Sequence, residues 1–166
     1  QALHGAVEYV LSCSVPGDIA EFGCYLGRTA AMLAESMRDL EKLYDGSDNW
    51  HGIPQRKLWT FDSFEGFPAP SHPVDAAAPH VKAGVWYAGQ PKGATPEDVH
   101  AMCAEFLNPN RVCVVKGWYK DVLPKLPARL RFAIVHIDCD FYESTNQVLD
   151  HLLGHGMLSD GCTILF

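Results

Sequence analysis

Asp138, Asp140 and Glu143 stand close together in the run Arg131-Phe132-Ala133-Ile134-Val135-His136-Ile137-Asp138-Cys139-Asp140-Phe141-Tyr142-Glu143-Ser144-Thr145. The residues from Phe132 to Ile137 are apolar apart from His136, so they read as a buried strand that delivers Asp138 to its carboxyl end. Asp140 follows at i+2, and Glu143 falls near the start of the next helix. A hard cation such as Mg²⁺ takes carboxylate oxygens and keeps several waters, which suits a strand-end aspartate with further acids nearby. Asp138 is therefore the candidate metal ligand and a candidate catalytic group. Asp140 and Glu143 have a simpler use, complementing the positive N-terminus of the helix, and Glu143 is expected to do that. His136, inside the strand, is expected to be a core histidine with a partner. His72 and His80 belong to a long loop, where a histidine above an active site could act as general base.

A second group of residues could hold a nucleoside. Asp18-Ile19-Ala20-Glu21-Phe22-Gly23-Cys24-Tyr25-Leu26-Gly27 reads as a strand, an acid and a Gly-x-x-x-Gly turn. Ligands of open parallel sheets bind beyond the carboxyl ends of the strands, beside the switch in strand order. Glycine there lets the backbone come close to a ligand. The candidates are Glu21, Gly23, Tyr25 and Gly27. The spacing is not that of a dinucleotide-binding fingerprint, so no pyrophosphate cradle is implied. Farther on, Trp59-Thr60-Phe61-Asp62-Ser63-Phe64 ends a second strand on an acid. The two oxygens of Asp62 match a vicinal diol such as that of a ribose.

These residues need strands to present them and helices to cover the strands. Ala2 to Cys13 has the period of an amphipathic helix, with Leu3, Val7, Val10 and Leu11 on one side. Strands are expected at 19–22, 58–61, 112–115, 132–137 and 162–166. A helix carrying Leu33, Met37 and Leu40 follows Gly27. Thr95, Pro96 and Asp98 form the signature of a capped helix start. Glu143 to Leu153 reads as a helix with Val148, Leu149, Leu152 and Leu153 facing inward, stopped by Gly154 and Gly156. Residues 63–94 are rich in Pro, Gly, Ala and His without a period, which marks a lid or an unstructured stretch. Alternating strands and helices predict an α/β fold, a mostly parallel sheet covered on both faces, in a single domain spanning 1–166. The apolar last strand implies a fold cut after its fifth strand.

Composition narrows the function. The 166 residues carry 13 Lys and Arg against 20 Asp and Glu, a net charge of −7. Phosphate neutralisation takes clustered basic residues, so a nucleic-acid partner is not expected. No run approaches the ~18 apolar residues of a membrane span, and no membrane partner is expected. Gln1 to Gly5 does not open like a signal peptide, and no initiator Met is present. The six cysteines make no Cys-x-x-Cys pair, which points to reduced, buried thiols of a cytoplasmic protein.

Four segments in order resemble the TylF-type macrocin O-methyltransferases, enzymes that methylate sugar hydroxyls of antibiotics. They are Gly17-Asp18-Ile19-Ala20-Glu21-Phe22-Gly23, Phe61-Asp62-Ser63-Phe64-Glu65-Gly66-Phe67-Pro68, Val115-Lys116-Gly117-Trp118-Tyr119-Lys120-Asp121-Val122-Leu123-Pro124, and His136-Ile137-Asp138-Cys139-Asp140-Phe141-Tyr142-Glu143-Ser144-Thr145. The resemblance implies a class I methyltransferase fold, a Rossmann-like three-layer sandwich, with S-adenosylmethionine as methyl donor and Mg²⁺ as second cofactor. It implies that Glu21 and Gly23 line the methionine side of the donor, that Asp62 holds its ribose, and that Ser63 and Phe64 border the adenosine. Asp138 would be the first Mg²⁺ ligand, with two further acidic ligands expected after Phe166. The implied partner is a small-molecule acceptor, a glycosylated natural product, and the family tends to form homo-oligomers. His80, before His72, is the alternative base.

Two other functions fit parts of the sequence. Asp138-Cys139-Asp140 is also the Asp-x-Asp with which metal-dependent glycosyltransferases hold a sugar nucleotide. A catalytically inactive cofactor-binding module is the third. The element order and the Glu21–Gly23 loop favour the methyltransferase.

Overall fold

Five parallel strands lie in the order β3-β2-β1-β4-β5 in the computed structural model, which describes residues 1–45 and 55–166. They are β1 (Asp18–Phe22), β2 (Leu58–Asp62), β3 (Val112–Lys116), β4 (Phe132–Ile137) and β5 (Leu158–Leu165). The order grows outward from β1 through β2 to β3, then returns to place β4 on the other side of β1. The switch point therefore lies between β1 and β4, and ligands of such sheets bind in the crevice that opens there. β1 pairs with both neighbours, Glu21 lying opposite Thr60 on β2 and His136 on β4.

Burial on both faces explains why β1 and β4 read as nearly continuous apolar runs. Ile19, Ala20, Glu21 and Phe22 are all buried, as are Phe132 to Val135. On one face the helices α1 (Ala2–Ser12), α2 (Arg28–Asp45) and α5 (Pro96–Ala104) bury Val7, Val10, Leu33, Met37 and Val99 against Ile19, Leu58 and Ile134. On the other face α7 (Tyr142–Gly154) brings Val148 and Leu152 against Phe22, Phe61, Phe132 and Val135. The result is the expected three-layer α/β sandwich. Arg56 fastens the α1–β1 corner from within. Its buried guanidinium donates to the carbonyls of Val10, Val15 and Gly17.

Three local expectations change. Residues 63–94 are not structureless, because they hold two short helices, α3 (Pro73–Ala77) and α4 (Pro79–Lys82), each opened by a proline. β5 begins at Leu158 rather than Cys162, since the polar residues Ser159 and Asp160 hide its start from an apolar pattern. Leu153 points outward at 62% exposure, while Val148 and Leu152 one turn apart carry the inward face of α7. The capped start of α5 is as read. Thr95 accepts from the Asp98 amide at 3.1 Å, and Asp98 accepts from the Thr95 amide at 3.0 Å. The cysteines are all unpaired; Cys24 and Cys103 are buried, but Cys13 is exposed.

Candidate active site

A cleft of about 1030 Å³ opens at the carboxyl ends of β1, β2 and β4. Its floor is the turn after β1 (Gly23, Cys24, Tyr25), the end of β2 (Asp62, Ser63, Phe64) and the end of β4 (Asp138, Cys139, Asp140). Residues from 66–71 and 85–94 and, at the start of α7, Glu143, Ser144 and Gln147 also line it. Five of the seven residues expected around a cofactor thus meet: Gly23, Tyr25, Asp62, Ser63 and Phe64. Asp138 lies in the same cleft. Gly27, Glu21 and His80 do not line it.

The turn after β1 is held by Asp62. One carboxylate oxygen of Asp62 accepts from the amides of Cys24 at 2.9 Å and Tyr25 at 3.2 Å, while the other accepts from Phe64 at 2.8 Å. The first oxygen is thereby filled. The second keeps acceptor capacity, since a carboxylate oxygen offers about two sites. Asp62 thus shapes the loop before it meets any ligand, which spacing alone did not reveal. Gly23 is required by contact. A Cβ on it would lie 2.1 Å from the Asp138 carbonyl, because the ends of β1 and β4 touch there, and its φ is +86°. Tyr25, Phe64 and Asp140 also hold positive φ without being glycine, at 44°, 56° and 60°. Such strain gathers where surrounding structure over-determines a site. Gly27 has a packing role instead. Its missing Cβ leaves room for Met102 and Val99 of α5.

Glu21 is fully buried beneath the floor rather than exposed on it. It pairs with His136 at 3.1 Å, which is the partner expected for a strand histidine. Burial pushes the Glu21 carboxyl above its ordinary range, and its hydrogen bond raises His136. Asp140 is also raised, first by burial and then by the nearby charges of Asp138 and Asp62. Uncompensated acids of this kind favour a cation between them. Among the described residues, however, no three His, Cys, Asp or Glu side chains are arranged to hold a metal ion.

The lid differs from its expected part. His80 packs at a tilt on Trp86 with ring centroids 4.8 Å apart and is absent from the cleft lining. His72 caps α3, its Nδ1 accepting from the Val74 amide at 3.2 Å. Neither imidazole faces the floor, because each is committed to local packing. Glu143 stands in the first turn of α7, where its charge complements the helix N-terminus as expected. It accepts from the Ser71 hydroxyl at 2.6 Å, and the carboxylate of Asp75 takes the amides of Tyr142 and Glu143. Asp75 was missed because nothing in the sequence links it to a helix 67 residues away. Arg28, Trp118 and Lys120 also line the cleft. Trp118 and Lys120 belong to a segment that carried the family likeness without a role.

Comparison with known proteins agrees with this geometry. The chain is 35% identical over 157 residues to the 8-demethyl-8-(2,3-dimethoxy-alpha-L-rhamnosyl)-tetracenomycin-C 4'-O-methyltransferase of Streptomyces olivaceus, covering 91% of this chain and 53% of the relative. It is 30% identical to the mycinamicin III 3''-O-methyltransferase of Micromonospora griseorubida, covering 96% and 61%. Among solved structures, the O-methyltransferase NovP superposes with a TM-score of 0.69 at 27% identity, over 95% of this chain and 59% of that one. The calicheamicin methyltransferase CalS11 gives 0.68 at 25% identity, over 98% and 60%. The sandwich is thus the Rossmann-like fold of methyltransferases. The chain spans between half and two thirds of the length of the relatives it matches. Residues 1–166 match the family described as Macrocin-O-methyltransferase (TylF), and the chain belongs to that family.

Proposed function

We propose that the protein is an O-methyltransferase that moves a methyl group from S-adenosylmethionine to a hydroxyl of a glycosylated natural product, with help from Mg²⁺. The observation that carries this is one cleft with two chemistries side by side. The loop Gly23–Tyr25, fixed by Asp62, lines the cleft together with the acids Asp138 and Asp140. Family membership and the names of the relatives support methyl transfer, and the rhamnosyl group in one of those names supports a sugar acceptor.

In this assignment Gly23 and Tyr25 approach the methionine part of the donor, the free acceptor site of Asp62 takes a ribose hydroxyl, and Ser63 and Phe64 border the adenosine. The acids of the floor favour a positively charged sulfonium beside them. Asp138 and Asp140 would hold Mg²⁺, completed by waters, by the acceptor or by groups outside the described residues. The bound ion would lower the pKa of the acceptor hydroxyl and steady the developing alkoxide. Enclosing donor and acceptor between lid and α7 supplies orientation, an effect worth about 7–11 kcal/mol at best.

The test has two parts. Calorimetric titration should show binding of S-adenosylhomocysteine and none of a nucleotide sugar; the reverse would favour the glycosyltransferase. Transfer of labelled methyl to rhamnosylated or other deoxysugar acceptors should require added Mg²⁺ and stop with EDTA. Cofactor binding without turnover on any acceptor would leave a binding module.

A further inference from the structure

Helix α7 starts without a cap of its own. Its N-cap residue, Phe141, has no side chain able to accept, and no local side chain takes the first free amides. Asp75 does so from the lid. Its two carboxylate oxygens accept separately, one from Tyr142 at 2.7 Å and the other from Glu143 at 3.0 Å, and the residue is only 4% exposed. A carboxylate at a helix N-terminus is favoured by the free N–H groups and by the helix dipole. Around this bond lie three more lid contacts to the same turn. Ser71 donates to Glu143 at 2.6 Å, the His72 ring packs at a tilt against Tyr142 with centroids 4.8 Å apart, and Phe67 packs on Phe141 at 5.0 Å. The lid residues Phe67, Pro68, Ala69 and Ser71 and the α7 residues Glu143, Ser144 and Gln147 line the same cleft.

We infer that Asp75 is a positioning residue, a latch that ties residues 64–94 to the first turn of α7 and sets how the lid residues of the cleft stand relative to Asp138. Asp75 touches no cleft surface itself. It acts through the turn that follows Asp140, so the latch couples lid placement to the acids. Its link to turnover rests on the proposed methyl transfer, whereas the latch is a structural claim with its own readout.

The experiment compares the intact protein with Asp75→Asn and Ser71→Ala, by amide hydrogen exchange and by tryptic nicking at the exposed Lys82 and Lys92. Asn presents an N–H₂ where one helix amide needs an acceptor. Asp75→Asn should speed exchange in 64–94 and at Tyr142 and Glu143 by about tenfold, with β1 and β4 unchanged. Ser71→Ala should do the same more weakly, and serves if Asp75→Asn does not fold. Acceptor KM should rise by about tenfold in Asp75→Asn while S-adenosylhomocysteine affinity stays within about twofold. Unchanged lid exchange in both variants overturns the latch, as does loosening that spreads equally to the central strands. If the unaltered protein transfers no methyl group, the proposed function fails, and exchange and nicking still decide the latch.

Discussion

At Gly23, the contact between two strand ends fixes the residue type. An alanine there would need a left-handed backbone at φ +86° and would drive its Cβ to 2.1 Å from the Asp138 carbonyl. Strain and clash together place Gly23→Ala among severe substitutions, at more than about 3 kcal/mol. A large fall in the urea midpoint is the expected outcome, and a midpoint within error of the unaltered protein would refute it. Asp138 presents the opposite case, exposed at the floor and with no hydrogen bond to its side chain from the described residues. Asp138→Asn should therefore fold normally and bind S-adenosylhomocysteine as before. Its kcat/KM should fall on the order of a hundredfold or more if charge stabilisation of several kcal/mol is lost. Near-normal turnover with retained Mg²⁺ dependence would remove Asp138 from the proposed site. The sequence already exposed both residues, because a strand-end glycine and a strand-end acid are each visible from patterning. It did not show that Asp62 spends three acceptor positions on the backbone, since the two bonds from Cys24 and Tyr25 depend on how β1 and β2 are paired.

The strands were legible where burial is two-sided and the pattern continuous, as in β1 and β4. They were less so in β5, whose polar start interrupts the pattern. The same division holds for helix ends. Thr95 and Asp98 cap α5 from within four residues, so the signal is local. The N-terminus of α7 is capped from α3, and no local pattern can encode that. Long-range ion pairs are hidden for the same reason. Arg111, just before β3, makes two bonds to Glu41 of α2 at 2.6 and 2.8 Å and a third to the Arg56 carbonyl at 2.7 Å. Both side chains are mostly buried, with 11% and 21% exposure. Lysine cannot reproduce the planar fork, so Arg111→Lys should cost about 1–2 kcal/mol by loosening α2 against the sheet edge. Chemical unfolding measures this directly; a cost below a few tenths would show that the pair is idle.

Over the whole molecule, negative charge is gathered at the switch point of the sheet. Glu21 and His136 lie opposite each other on the two central strands, with Asp62, Asp138 and Asp140 above them. That placement suits a cationic donor and a divalent ion, and it also gives the fold a pH dependence. The folded value of His136 is raised above its ordinary 6.5 by the Glu21 hydrogen bond, so its contribution is fully present below pH 6.5. As pH rises past 6.5 the unfolded chain releases this proton first, the folded chain still holds it, and stability falls. Glu21 acts in the same sense from its ordinary 4.5 upward, because burial makes the folded state hold a proton more tightly than the unfolded one. Stability should therefore decline as pH rises from Glu21's ordinary 4.5, and further past 6.5, with a slope no steeper than about 1.4 kcal/mol per pH unit for each proton involved. Glu21→Gln keeps the volume, removes the carboxylate and leaves burial to pull His136 down, so this decline should vanish. Urea unfolding of both proteins at half-unit steps of pH reads the difference. Parallel curves would mean that the Glu21–His136 pair is not the source, and that the charge at the switch point acts on ligands alone.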